Sequence, residues 1–121
     1  MKKAKQQFGQ KSEALAAEIL QSEGYTIITT NWHCALGELD IVAQKDGVLV
    51  FVEVRSRHSH TTETAFASID NHKRDRLYST ALTYLAEHNL GEAVWRIDVI
   101  AIAVPRSGRP LVEHVEDAFD W

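Results

Sequence analysis

The chain has 121 residues, a formal net charge of −4, 45% hydrophobic and 25% charged residues, which suits one globular domain around one core and argues against a protein that coats nucleic acid non-specifically. No apolar run is long enough to span a bilayer, and the N-terminal M-K-K-A-K-Q-Q-F lacks the hydrophobic stretch of a signal peptide. Cys34 is alone, which rules out an internal disulfide, so the expectation is a cytoplasmic protein in a reducing compartment with no membrane association.

From about Phe8 to Glu23, Phe8, Leu15, Ala16, Ile19 and Leu20 share an apolar arc at helical spacing, and Gly24 supplies a stop. Glu13 falls at the border of that arc. Tyr25 to Trp32 is β-branched and aromatic, which predicts a strand. Next, Leu39, Ile41 and Ala43 alternate with Glu38, Asp40 and Val42, the period of a half-buried strand. Asp46-Gly47 favours a tight hairpin turn. Val48 to Val54 is then almost unbroken apolar, as in a strand covered on both faces. Arg57 to Glu63 reads as a loop, and Thr64 to Ile69 is ambiguous between states.

Asp70 or Asn71 can cap a second helix running to about Asn89, with Leu77, Ala81, Leu82 and Leu85 inward and Gly91 as the stop. Ala93 to Val104 predicts another strand and Leu111 to Val115 a short edge strand, with Pro105 to Pro110 turning between them. The final D-A-F-D-W is expected to close the chain and seat Phe119 in the core. The order is α-β-β-β-α-β-β, without internal repeats or linkers.

Charge is unevenly spread. Arg55, Arg57, Lys73, Arg74 and Arg76 make the middle of the chain locally basic, and Lys2, Lys3, Lys5 and Lys11 do the same at the N-terminus. After Arg109 the tail is acidic. Lys73, Arg74 and Arg76 lie in the first turns of the second helix, where cations oppose the helix dipole. An anion-binding surface would account for that placement.

Within the hairpin, Phe51, Glu53 and Arg55 lie in one row of a buried-looking strand. A carboxylate there is costly unless a cation compensates it. Asp40 sits near the middle of the partner strand, so the turn can bring the two acids together on one face. Two close carboxylates suit a hard divalent ion such as Mg²⁺ or Mn²⁺, with Arg55 offered to a phosphate, and that set fits phosphodiester cleavage. A partly buried ion network of Glu53, Arg55 and Asp40 satisfies the same charge and spacing. Glu38 is either a further ligand or a turn-stabilising acceptor. Asp98, alternating with Arg96, reads as a structural partner. His58, His60, His33 and Cys34 lack zinc-site spacing, and no P-loop, dinucleotide fingerprint or G-x-S-x-G occurs.

The run G-E-L-D-I-V…D-G-V-L-V-F-V-E-V-R-S-R closely resembles the signature of the YraN-like UPF0102 bacterial family. That family is similar to the PD-(D/E)XK nuclease superfamily, near the archaeal Holliday junction resolvases. Gly9 and Glu13 match its first-helix G-x-x-G-E, with Ser12 in place of the second glycine. Gly24-Tyr25, Asn31-Trp32, Lys73 with Arg76-Leu77, Arg96-Ile97-Asp98-Val99 and Ala118-Phe119 extend the resemblance over nearly the whole chain.

The resemblance implies an α/β, restriction-endonuclease-like fold: a mixed β-sheet flanked by helices. It places the metal-binding acids at Asp40 and Glu53, a further catalytic glutamate at Glu13 and the catalytic lysine at Arg55. Arginine keeps that charge but is effectively never deprotonated, so Arg55 can stabilise charge and cannot serve as a base. Arg55, Arg57, Lys73 and Arg74 are the expected contacts to nucleic acid, with DNA, branched or flapped, as the substrate and Mg²⁺ or Mn²⁺ as the cofactor. Analogy to the resolvases allows a homodimer. The competing expectations are a binding module that kept the fold without turnover, and an interaction domain with an internal ion network.

Overall fold

The computed structural model describes residues 2–119, and side chains from residue 4 onward. Lys2 and Lys3 of the N-terminal basic cluster, and Asp120 and Trp121 of the acidic tail, therefore lie outside the described side chains. Helix α1 spans Lys2–Ser22, followed by strands β1 (Thr26–Cys34), β2 (Gly37–Lys45) and β3 (Val48–Arg57). Helices α2 (Glu63–Ala67) and α3 (Asn71–Glu87) lead to β4 (Trp95–Ala103) and β5 (Leu111–Val115).

The strands form one sheet in the order β1-β2-β3-β4-β5. Only β3 and β4 pair in parallel; the other neighbours are antiparallel. The result is the expected α/β architecture, a mixed sheet flanked by helices. None of the described helices is long and apolar enough to cross a membrane.

Local chemistry explains most boundaries. Asp46 (φ 52°) and Gly47 (φ 79°) both adopt the left-handed conformation that a two-residue hairpin turn requires. Asp70 caps α3 by accepting from the Lys73 amide at 2.8 Å. Gly24, at φ 93°, ends α1: its amide donates to the Gln21 carbonyl, and that of Tyr25 to the Leu20 carbonyl.

Three boundaries differ from the sequence expectation. The first helix begins at Lys2, well before Phe8. The ambiguous stretch is helical, as α2, so the order is α-β-β-β-α-α-β-β. The second long helix ends before Gly91, because Asn89 takes the left-handed position (φ 57°) and the Leu90 amide reaches back to the Leu85 carbonyl at 2.8 Å. Asparagine tolerates that conformation better than most residues.

Both sheet faces are covered, as a parallel central pair demands. On one face Leu39, Phe51, Ile97 and Val99 pack with Leu77, Ala81 and Tyr84 of α3 and with Phe119, which reaches the core as expected. On the other, Val50, Val52, Ile100 and Ile102 pack with Ala16 and Leu20 of α1. Each such fully buried side chain contributes roughly 1.5–3 kcal/mol.

The alternation expected for β2 does not run through. Leu39 belongs to the α3-side core, whereas Ile41 and Ala43 belong to the α1 side and Val42 to the α3 side. Period-2 order therefore breaks at Asp40. Opposite it in β1 stands Asn31, at φ 54°, and the β2–β3 ladder ends at the pair Ile41↔Val52. The sheet is irregular at that acid.

Asp98, as expected, is structural. It is fully buried and accepts from Arg96 Nε (2.9 Å), His114 Nε2 (2.8 Å) and the Asp117 amide (3.0 Å). Arg96 also donates to the Tyr25 hydroxyl at 2.8 Å, and His114 lies 3.4 Å from Glu23, so the network ties β4 and β5 to the C-terminal end of α1. Burial alone would raise the Asp98 carboxyl, but hydrogen bonds from His114, Arg96 and the Asp117 amide hold it below the ordinary value. The bond to Asp98 raises His114 against the opposing effect of burial.

The signs differ for the two partners. The Asp98 contribution is present above the ordinary carboxyl pKa and fades as pH falls through the lowered folded value. That of His114 is present below the ordinary imidazole pKa and is lost as pH rises through the raised one. Urea denaturation of Asp98→Ala should show a loss of about 3–5 kcal/mol, because buried cationic partners are left uncompensated. In His114→Gln the decline of stability on the alkaline side of the imidazole pKa should flatten.

Candidate metal and nucleic-acid site

Where the β2–β3 ladder ends, the Asp40 carboxylate takes over. Its Oδ2 accepts the Val54 amide at 2.9 Å, replacing the strand carbonyl that would otherwise pair there. Continuing the register places Glu53 across from Asp40, and the two carboxyl groups lie within hydrogen-bonding reach of each other. Both hairpin acids thus face the same space.

That space is an open cavity of about 370 Å³. Glu13, Glu38, Asp40 and Glu53 line it together with Arg55, Lys73 and Arg76. Four acids and three cations from α1, β2, β3 and α3 therefore converge on one volume. The sequence-derived Glu13, Asp40, Glu53, Arg55 and Lys73 are brought together. Arg57 and Arg74 do not line it: Arg57 donates to the Ser56 carbonyl at 2.7 Å, and the Arg74 guanidinium lies over the Phe119 ring at 5.0 Å.

The electrostatics follow from crowding. Burial, then the hydrogen bond and charge of Glu53, push the Asp40 carboxyl up to about 9, against the opposing pull of the Val54 amide and Arg55. Burial and then the charge of Asp40 raise Glu13. Asn31, with its amide nitrogen turned toward the acids, donates to Glu13 Oε2 at 3.0 Å and Glu38 Oε1 at 3.2 Å. This bridge locates Glu38 beside the site. Arg55 pairs with Glu53 at 3.4 Å, and its Nε is buried with no hydrogen-bond partner. A buried donor left open costs free energy that a phosphate oxygen would recover.

Among the described residues, no group of three or more His, Cys, Asp or Glu side chains is arranged to hold a metal ion. The hairpin supplies two carboxylates. Mg²⁺ is commonly held by one or two carboxylates with water and substrate phosphate completing its shell, so the donor set fits that ion in type, though not as a self-sufficient cage.

The expected site residues did not include three contributors. Arg76 lies one turn from Lys73, and their i, i+3 spacing was the signal that both share a helix face. Its Nε donates to the Leu36 carbonyl at 3.4 Å, at the start of the hairpin. Asn31 was visible only as part of the family's N-W pair. Gly37 lets β2 approach α3: a Cβ there would lie 2.7 Å from Thr80 Oγ1. Thr80 is fully buried and donates to the Arg76 carbonyl at 2.7 Å, so it has little room to yield.

The model of the family described as "Uncharacterised protein family UPF0102" matches residues 12–102. The chain belongs to that family. A UPF0102 protein of Roseiflexus castenholzii is 45% identical over 114 residues, covering 93% of this chain and 92% of the relative. Those of Moorella thermoacetica (43% over 112 residues; 92% and 93%) and Myxococcus xanthus (37% over 116; 96% and 91%) are similar along nearly their full lengths. The family is related to the PD-(D/E)XK nuclease superfamily. The matched region contains Glu13, both hairpin acids, Arg55 and Lys73.

The close approach at Gly37 is testable. Gly37→Ala should lower stability by about 1–3 kcal/mol through overpacking. Combining it with Thr80→Ala should cost less than the sum of the two single changes, because the obstructing oxygen is gone. Additive losses in urea denaturation would show that the two residues are not in contact.

Proposed function

We propose that this UPF0102 protein is a metal-dependent, endonuclease-like phosphodiester hydrolase acting on DNA, with branched or flapped molecules as its substrates and the cytoplasm as its compartment. The observation that carries the proposal is the placement of Asp40 and Glu53 in one open cavity with Arg55, Lys73 and Arg76. Asp40 and Glu53 would hold Mg²⁺ or Mn²⁺. Bound there, the ion would supply Lewis-acid polarisation of the scissile phosphate.

The chain's own residues supply the rest. Arg55 keeps a permanent charge and an open Nε donor for a phosphate oxygen, and stabilises negative charge as it develops. Glu13, its carboxyl raised by burial and by Asp40, is placed to orient a water or take up its proton. Lys73 and Arg76 present cations from one face of α3 to the phosphates beside the scissile one. Such contacts fix position and carry little sequence information, so selectivity would come from the shape of the nucleic acid. A homodimer would bring two sites to one branched substrate.

A second reading, a binding module without turnover, has one observation in its favour. Arg55 stands where the superfamily has lysine and is paired with Glu53. Nicking assays on branched and flapped DNA with Mg²⁺ or Mn²⁺ separate the two. The hydrolase should give products that vanish in Asp40→Ala and Glu53→Ala. Salt-sensitive binding without metal-dependent products would favour the module. In either case, Lys73→Ala and Arg76→Ala should each lower the slope of log affinity against log salt by about one.

A purely internal ion network predicts a different stability response. The raised Asp40 carboxyl means that stability of the metal-free chain falls as pH rises from the ordinary carboxyl pKa of 3.8 through the folded value of about 9. Asn at position 40 keeps an acceptor for the Val54 amide and removes the repulsion. Asp40→Asn in EDTA should therefore melt no lower than wild type at pH 8, and Mn²⁺ should raise the melting temperature of wild type alone. A variant that melts well below wild type, with no metal response in either protein, would leave the acids as structural partners.

A further inference from the structure

A second groove lies between α1 and the chain around the end of β4. Its volume is about 440 Å³, and it is lined by Phe8, Lys11 and Leu15 of α1, by Ile102 and Val104 of β4 and its extension, and by His58. A smaller hollow of about 270 Å³, lined by His60, Pro105 and Arg106, adjoins it, sharing His58 and Val104. The larger volume falls in the range of sites that enclose a small organic group, about 300–1,000 Å³.

Three observations say what kind of group. The Phe8 and His58 rings are stacked, with centroids 4.3 Å apart and planes 13° from parallel, and His58 is exposed. The stack is held in place from below: the Val104 amide donates to the Arg57 carbonyl and the Ser59 amide to the Val104 carbonyl, anchoring the residues on both sides of His58. Finally, among the described residues no Asp or Glu lines either hollow, although acids outnumber Lys and Arg by 17 to 13 in the whole chain. Lys11 and Arg106 are the charged residues there. A fixed aromatic platform with cations on either side and no carboxylate is the arrangement that takes a nucleobase while its phosphates lie against the cations.

α1 and the chain at the end of β3 contribute both to this groove and to the cavity already described. Lys11 and Ser12 directly precede Glu13 on α1, and His58 follows Arg55 and Arg57 as β3 ends. We propose that the Phe8–His58 groove is a stacking subsite for an unpaired base of single-stranded nucleic acid. This deepens the hydrolase reading and rests on its nucleic-acid part. It gives a physical reason for a substrate with a displaced strand: a fully paired duplex has no base to offer the platform.

The test uses the full chain in EDTA and a short single-stranded DNA carrying 2-aminopurine, whose fluorescence falls on stacking. Binding should quench it. His58→Ala should weaken single-strand affinity about tenfold and abolish the quenching, while His58→Phe restores both and affinity for a blunt duplex of the same length is unchanged. Phe8→Ala should behave like His58→Ala; because Phe8 is half-buried, the exposed His58 pair decides if that variant fails to fold. Quenching that survives His58→Ala, equal losses on single strand and duplex, or binding of apolar peptides in place of DNA would overturn the proposal. Asp40→Ala should still quench. Quenching without metal-dependent cleavage would leave this subsite standing and remove the hydrolase reading; cleavage without quenching would do the reverse.

Discussion

One hydrogen bond organises the functional end of this protein: the Asp40 carboxylate accepting the Val54 amide where the β2–β3 ladder stops. An antiparallel pair that continued normally would satisfy that amide with a strand carbonyl and leave no opening. By substituting a side chain for the backbone, the sheet releases β2 from β3 while keeping the Val54 amide paired. The cost is a carboxylate held between two strands, opposite a second carboxylate. Everything else around the cavity compensates for that arrangement: Arg55 beside Glu53, Asn31 across Glu13 and Glu38, and Gly37 allowing α3 to bring up Lys73 and Arg76.

A second buried acid on the same sheet shows what a structural carboxylate looks like here. Asp98 sits beside Val52 in the parallel ladder and has cationic, imidazole and amide donors on both oxygens. They hold its pKa below the ordinary value in spite of burial. Asp40 has one backbone amide, a like-charged neighbour and a pKa driven the other way. The same residue type in the same sheet is settled in one place and frustrated in the other. Frustration of this kind persists where a ligand relieves it, so the contrast sets Asp98, which holds the fold, apart from Asp40, on which the proposed chemistry rests.

Much of this was readable from residue pattern. The hairpin was visible because Asp46-Gly47 has a local requirement that few pairs meet, and the Phe51–Glu53–Arg55 row because β3 keeps its period of two. The break in β2 was not. Leu39, Ile41 and Ala43 satisfy alternation on paper, and only the left-handed Asn31 across the ladder, with the lost pairing beyond Ile41↔Val52, moves Leu39 to the α3 face. That is tertiary information with no local signal. The helix α2 was ambiguous for a related reason: five residues are too few to establish a helical period. Arg76 was legible in principle from its spacing to Lys73, but its meaning depends on where α3 docks.

The charge balance of the cavity constrains what can occupy it. Glu13, Glu38, Asp40 and Glu53 face Arg55, Lys73 and Arg76, one negative charge in excess when every acid is ionised. A proton on the raised Asp40 carboxyl would offset that excess in the metal-free cavity. Exchanging that proton for a divalent cation leaves one positive charge over, and a single phosphodiester group cancels it. Neither the ion without the phosphate nor the phosphate without the ion reaches the same balance in a partly buried volume, where unbalanced charge is expensive. On the proposed reading the side chains favour the two together, with Arg55 supplying a charge that does not change with pH.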